Sequence, residues 1–187
     1  MTTQEKPTLT RKGQRTRGQL VDAAVALAAR SGLEALNVSA ICAEAGLPRS
    51  TFYTYFDDVG PVVETVGAVT AEAFASRFDA AEAGAPRGLA RLERCLKAVL
   101  SLAETDPALA RLAVSLDRSG HALRARLEDE MARELEGAGQ PPGVRPALIA
   151  GTLIAQLDDA LQGRSAGPAK DIVPLLMRLC APGSEPR

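Results

Sequence analysis

Apolar residues recur along this chain at spacings of three and four, and no segment alternates apolar with polar residues between turn signals. Leu20, Ala24, Leu27 and Ala28 stand at i, i+4, i+7 and i+8, which predicts a helix over about 16–31, with Gly32 just past its end. Val38, Ile41, Cys42 and Ala45 mark the inward face of a second, short helix that Asn37 or Ser39 can cap. Gly46 falls where a tight turn needs a positive φ, and Leu47 turns back toward the core. Pro48 suits the first turn of a third helix, where its missing N–H costs nothing. Phe52 and Phe56, four apart, face inward on it. Asp57-Asp58-Val59-Gly60-Pro61 reads as a boundary before a longer helix to about residue 83, with Val62, Val66, Val69, Ala73, Phe74 and Phe78 turned inward.

Gly84-Ala85-Pro86 interrupts the pattern, and a helix follows to about 104 through Leu89, Leu92, Leu96, Val99 and Leu100. Thr105-Asp106-Pro107 is a cap followed by proline, opening a helix to about 116. A segment of alternating charge from 120 to 136 is helical, 137–143 is a loop, and the last two helices run over 144–162 and 168–180. Residues 1–10 show no apolar periodicity and read as a disordered arm. The expected fold is all-α, with about nine helices: a basic arm over 1–15, a three-helix domain over 16–60 and a helical domain over 61–187.

Composition narrows the class. Hydrophobic residues make up 46% of the 187, largely Ala and Leu, enough to bury a core. No apolar run approaches the ~18 residues of a membrane span, and the polar, basic N-terminus lacks the apolar stretch of a secretory signal. Cys42, Cys95 and Cys180 are scattered and the chain has one histidine, so neither a disulfide framework nor a zinc site is expected. A soluble cytoplasmic protein without metal or cofactor follows. The net charge of −1 hides an asymmetry: Lys6, Arg11, Lys12, Arg15 and Arg17 crowd residues 6–17 with no acid among them.

The aromatic residues are still more concentrated. The chain has no Trp, four Phe and two Tyr, and both tyrosines with two of the phenylalanines fall within 52–56. A short helix, a glycine turn and a second short helix ending in aromatics and hydroxyls make a helix-turn-helix over about 37–56.

The segment 16–63 resembles the tetracycline-repressor (TetR) family of transcription regulators. Val38-Ser39-Ala40-Ile41-Cys42-Ala43 is similar to the Thr/Val-x-x-Ile-Ala second helix of that family. Ala45-Gly46-Leu47-Pro48-Arg49-Ser50-Thr51-Phe52-Tyr53-Thr54-Tyr55-Phe56 follows its pattern Ala-Gly-Val-Ser-x-Gly-Thr-Phe/Leu-Tyr-x-His/Tyr-Phe. Two positions depart. Val59 stands where members carry a lysine that opens the fourth helix and touches a phosphate, with Asp57 and Asp58 beside it. Pro48 replaces a small polar cap. The resemblance implies a sequence-specific DNA-binding regulator, a ligand-responsive repressor acting as a homodimer on a palindromic double-stranded operator. It also implies an effector pocket in the C-terminal helices, for which Phe74, Phe78, Leu96, Leu100, Leu112, Leu116 and Met131 are the candidate lining. Such a lining favours a hydrophobic or amphipathic small molecule.

In a recognition helix, exposed side chains read base edges while flanking groups hold phosphates. With Phe52 and Phe56 inside, Arg49, Ser50, Thr51, Tyr53, Thr54 and Tyr55 are left facing outward. Arg49 suits a bidentate contact with guanine, and Tyr53 a thymine methyl or a phosphate. Thr51, Tyr55 and Ser39 suit phosphate clamps. Lys12 and Arg15 belong to the basic arm, which can reach an adjacent minor groove. Ile149, Leu153, Leu157 and Leu161 with Leu148, and Ile172, Val173, Leu176 and Cys180 with Leu175 and Leu179, make the last two helices apolar over much of their circumference. This fits a four-helix homodimer seam. The helix from Pro61 is the natural lever between effector and DNA.

Enzymatic chemistry finds no purchase: one histidine, no Ser-His-Asp set, no metal cluster, no glycine-rich phosphate loop and no matched carboxylate pair. His121 reads as an exposed residue near a helix start. The alternative to a DNA-reading regulator is a helical adaptor or co-regulator with weak or lost DNA binding, which Val59 and the net charge leave open.

Overall fold

The computed structural model describes residues 10–82, 87–120, 123–139, 144–164 and 168–180, which form nine α-helices and no strand. In chain order these are α1 (Arg11–Ser31), α2 (Val38–Ala45), α3 (Arg49–Tyr55), α4 (Gly60–Glu82) and α5 (Leu89–Thr105). α6 (Pro107–Arg118), α7 (Leu123–Gly137), α8 (Pro146–Leu161) and α9 (Pro168–Cys180) complete the set. A single 3-10 turn, Leu33–Ala35, links α1 to α2. The expectations for residues 1–9, Gly84-Ala85-Pro86, His121 and 140–143, and for the side chain of Phe78, lie outside the described residues. Two compact units divide at Val66 and Gly67.

In the first unit, α1 packs against α2 and the 3-10 turn, and α2 packs against α3. Leu20, Ala24 and Ala28 are buried on α1, Ile41 and Cys42 on α2, and Phe52 on α3. The first helix begins at Arg11, well before the expected start near 16, because the Thr10 hydroxyl accepts the Gly13 amide at 3.2 Å and caps it. Residues 11–15 of the expected arm are therefore the opening turns of a helix.

In the second unit, α5 packs against α6, α7, α8 and α9, and α8 against α5, α6, α7 and α9. Leu92, Cys95, Leu96, Val99, Leu100 and Leu102 give α5 a broad buried face. The Asp106 carboxylate accepts the Leu109 amide at 3.2 Å and starts α6 at Pro107, as the cap-then-proline pattern predicts. Glu134 on α7 is fully buried. Its Oε1 lies 3.1 Å from Arg91 Nε on α5, without hydrogen-bond alignment, and its Oε2 accepts the Gly88 amide at 3.1 Å. This ties the end of α7 to the start of α5. Gly137 permits the approach, since a Cβ there would stand 2.8 Å from the Arg87 Cβ. Asp117 on α6 accepts two hydrogen bonds from Arg124 on α7, at 2.6 and 2.7 Å.

One expected inward face is corrected. On α4, Val62, Val66, Thr70 and Phe74 are buried, whereas Val69 is 45% exposed. The buried row keeps strict i, i+4 spacing, so a threonine goes inside and the neighbouring valine stays out.

Candidate nucleic-acid interface

Two caps and one glycine set the helix-turn-helix. The Asn37 side chain accepts the Ala40 amide at 2.9 Å and fixes where α2 begins. At the other end Gly46 adopts φ 66°, ψ 29°, a left-handed conformation that glycine takes without a Cβ penalty. Its amide donates to the Ala43 carbonyl, and the Leu47 amide donates to the Cys42 carbonyl at 3.0 Å, which closes the last turn of α2. Pro48, extended, then precedes α3 without a side-chain cap, and the Thr51 amide donates to its carbonyl at 2.9 Å.

α3 buries one ring and presents the next. Phe52 has no exposure and packs on Phe56 with centroids 5.4 Å apart, while adjacent Tyr53 is 52% exposed and meets Phe52 edge-on at 5.7 Å. Arg49, Ser50 and Thr54 are also exposed, and Thr51 and Tyr55 are half-buried. The Thr54 hydroxyl donates to the Ser50 carbonyl at 3.1 Å, so its proton is already committed and its lone pairs remain outward. Ser39 on α2 and Lys12 and Arg15 on α1 are exposed as well.

Ion pairs hold this surface. Arg30 on α1 and Glu44 on α2 form a two-bond pair at 2.8 and 3.0 Å. The hydrogen bonds from Arg30 keep the Glu44 carboxyl below the usual carboxylate range and push the Arg30 guanidinium up. The Arg17 guanidinium lies over the Phe56 ring, 5.0 Å from its centroid. No sequence spacing announces that contact, because the two residues sit on helices far apart in the chain. Asp58 accepts the Gly60 amide at 2.7 Å and opens α4, which gives one of the two acidic residues a capping role. Val59 is half-buried beside it. Burial pushes the Cys42 thiol up, against the opposing pull of the Arg49 charge.

The residues expected to line a pocket are placed as follows. Leu96, Leu100, Leu112, Leu116 and Met131 are buried in the packed interior. Phe74 instead borders a hollow of about 80 Å³ between α4 and α7, with Ala71, Ala75, Leu123, Leu127, Arg126, Glu130 and Arg133. The residues expected at a seam fall into two groups. Ile149, Leu153, Leu157, Val173, Leu176 and Cys180 face the chain's own core, and Leu161 and Ile172 are half-buried. What α8 and α9 offer outward is Leu148, Leu175 and Leu179, each about half exposed. Apolar stripes predicted burial without saying against what. Among the described residues, no three His, Cys, Asp or Glu side chains are grouped to hold a metal, and no helix is long and apolar enough to cross a membrane.

Residues 20–58 match the family described as bacterial regulatory proteins, tetR family. A comparison with curated proteins finds no match. Solved structures share the fold over nearly the whole chain. One is a TetR-like transcriptional regulator from Rhodococcus sp. RHA1, 21% identical, with a TM-score of 0.66, covering 92% of this chain and 96% of its own. A gamma-butyrolactone receptor, described as ArpA-like, is 18% identical with a TM-score of 0.62, covering 91% and 98%. The transcriptional regulator FadR from Bacillus subtilis, in complex with stearoyl-CoA, is 20% identical with a TM-score of 0.63, covering 90% and 100%.

Proposed function

We propose that this chain, whose residues 20–58 match the tetR family of bacterial regulatory proteins, is a DNA-binding transcription regulator, a ligand-responsive repressor acting as a homodimer on a palindromic operator. The observation that carries this reading is α3 itself: Phe52 is sealed inside while Arg49, Ser50, Tyr53 and Thr54 stand outside on one short helix. Arg49 reads a guanine edge, worth ~1–3 kcal/mol of discrimination. Tyr53 reads a thymine methyl or a phosphate. Ser50 and Thr54 complete the outward face, and Ser39, Thr51, Tyr55, Lys12 and Arg15 hold the backbone. One such domain is too small to bind tightly, so a second copy places another α3 one helical turn away. The exposed Leu148, Leu175 and Leu179 give that copy an apolar landing on α8 and α9. The chain acts where the DNA is, in the cytoplasm.

The effector we infer is a small hydrophobic or amphipathic molecule entering from the hollow at Phe74. Its mixed lining, apolar side chains beside Arg126, Arg133 and Glu130, supports this, as do the two similar structures whose descriptions name a butyrolactone receptor and stearoyl-CoA. The hollow is far below the ~300–1,000 Å³ of a typical ligand site, so binding must widen it between α4 and α7. A ligand that prefers the widened form draws the protein away from the DNA-competent form, with α4 as the lever.

Selection of bound duplexes from a random pool tests the DNA reading. Two inverted half-sites should emerge, and Arg49→Ala should relax preference at one base position in each. Weakening of all sequences alike by Arg49→Ala would reverse its role. A wild-type protein with no salt-dependent affinity for any duplex would favour the helical adaptor, the reading that Val59 and the neighbouring carboxylates keep in play. Ligand-saturated protein with unchanged operator affinity would remove derepression.

A further inference from the structure

Arg17 is half-buried, its guanidinium 5.0 Å from the centroid of a Phe56 ring that is itself buried on Phe52. A cation–ring contact restrains the guanidinium and consumes none of its five N–H donors. Among the described residues no carboxylate takes those donors: Glu44 is held by Arg30, and Asp58 accepts the Gly60 amide. An arginine held over an apolar ring, with its donors uncommitted, is preorganised for an oxyanion.

Its place tells which oxyanion. Phe56 terminates α3 and directly precedes the Asp57-Asp58-Val59 segment that opens α4. That opening brings no cation of its own, since Val59 is apolar and its two neighbours are acidic. Lys12 and Arg15, on the same helix as Arg17, are exposed without any ring to hold them. We propose that Arg17 is a DNA-backbone phosphate contact, delivered from α1 and seated by Phe56, which supplies the flank of α3 that α4 leaves without a positive charge. This inference rests on the DNA-binding reading above and assigns one site within it.

The phosphate contact is separable from packing by its dependence on salt. Each neutralised phosphate contributes about −0.9 to the slope of log affinity against log salt. With a random-sequence duplex of about three helical turns, Arg17→Gln and Arg17→Met should each lower that slope by about one. The ratio of wild-type to variant affinity should then be about three- to fourfold larger at 50 mM than at 200 mM salt. Arg17→Met keeps an apolar stem against Phe56 without the charge, so it tests charge apart from packing. Arg17→Lys keeps a charge and should keep the slope. Base preference in duplexes selected from a random pool should stay the same for all three variants. A ratio that does not change with salt would show that the guanidinium only packs, and loss of slope in Arg17→Lys would show that charge is not the cause. A wild-type protein whose affinity ignores salt would overturn the DNA-binding reading itself, and that outcome appears before any variant is made.

Discussion

In the N-terminal unit a seven-residue helix turns Arg49, Ser50, Tyr53 and Thr54 outward and buries only Phe52, whereas in the C-terminal unit α5 and α8 bury residue after residue along their length. The first unit holds its shape with short-range devices: the Asn37 cap, the left-handed Gly46, the Asp58 cap and the Arg30–Glu44 pair. The second holds its shape by interior packing, with a fully buried carboxylate at one of its joints. Where a surface must meet DNA, little core is available and local devices set the geometry. Where helices surround one another, packing sets it, and a single charge is tolerated inside because Arg91 and the Gly88 amide meet it.

Removing a central group from each unit should cost the most. Glu134→Ala takes away the fully buried carboxylate that meets Arg91 and leaves Glu130, 3.8 Å from the guanidinium, as an acidic neighbour; breaking a buried pair costs about 3–5 kcal/mol. The C-terminal unit should lose that much in chemical denaturation, while replacing Arg91 and Glu134 together by Met and Leu should recover most of it. A loss well under 1 kcal/mol in the single variant would mean that packing alone holds the joint. Phe52→Ala empties the middle of the small N-terminal core and should cost about 3–5 kcal/mol. Its neighbour Tyr53→Ala should change stability by no more than about 0.5 kcal/mol and instead weaken DNA binding. Equal destabilisation by the two would erase the division between the ring that folds α3 and the ring that reads from it.

The same contrast explains what the sequence disclosed. The helix-turn-helix was legible because caps, a turn glycine and i, i+4 aromatics act over a few residues, and each has one structural meaning. The Thr10 cap is not legible in the sequence, because no apolar residue follows it closely enough to mark a helix face, and the apolar pattern of α1 begins later than the helix itself. Val69 and Thr70 show the limit of reading by polarity: the i, i+4 row from Val62 to Phe74 decided which went inside. In α5 to α9 the stripes located the helices correctly but carried no label for their partners. Leu96 and Leu116 therefore carry both a pocket and a core reading, and Leu157 both a seam and a core reading. Arg17 lay beyond pattern reading altogether, since a cation over a distant ring leaves no periodic trace.

The outward leucines of α8 and α9 allow a test that leaves the core untouched. Leu175→Glu and Leu179→Glu alter side chains that are half exposed, so the stability of the single chain should move by no more than about 0.5 kcal/mol. If these residues seat a second copy, the variants should sediment as monomers and lose operator affinity while Arg49 and Tyr53 remain intact. A variant that stays dimeric with unchanged affinity would place the seam elsewhere on the C-terminal unit.

The mildest expected effect separates the units by pH. Glu44 has its carboxyl held below the usual range by hydrogen bonds from Arg30. Its stabilising contribution is therefore present above the unfolded carboxylate pKa, near 4.5, and is lost as pH falls through the lower folded value. Because both partners are exposed the effect is small and screened by salt. Glu44→Gln should slightly flatten the acid limb of the N-terminal unit's stability profile below about pH 4.5 and leave stability above pH 9 with no added slope. Cys95 acts at the opposite end. Burial, reinforced by the nearby Glu134 charge, pushes its thiol up to about 11, so its contribution is complete below the ordinary thiol range and is lost as pH rises toward 11. Acid titration should thus reach the Arg30–Glu44 clasp only below the ordinary carboxylate range, and alkaline titration should reach the buried α5 thiol only above the ordinary thiol range. An acid limb unchanged by Glu44→Gln would show that the clasp adds nothing to holding α2 against α1.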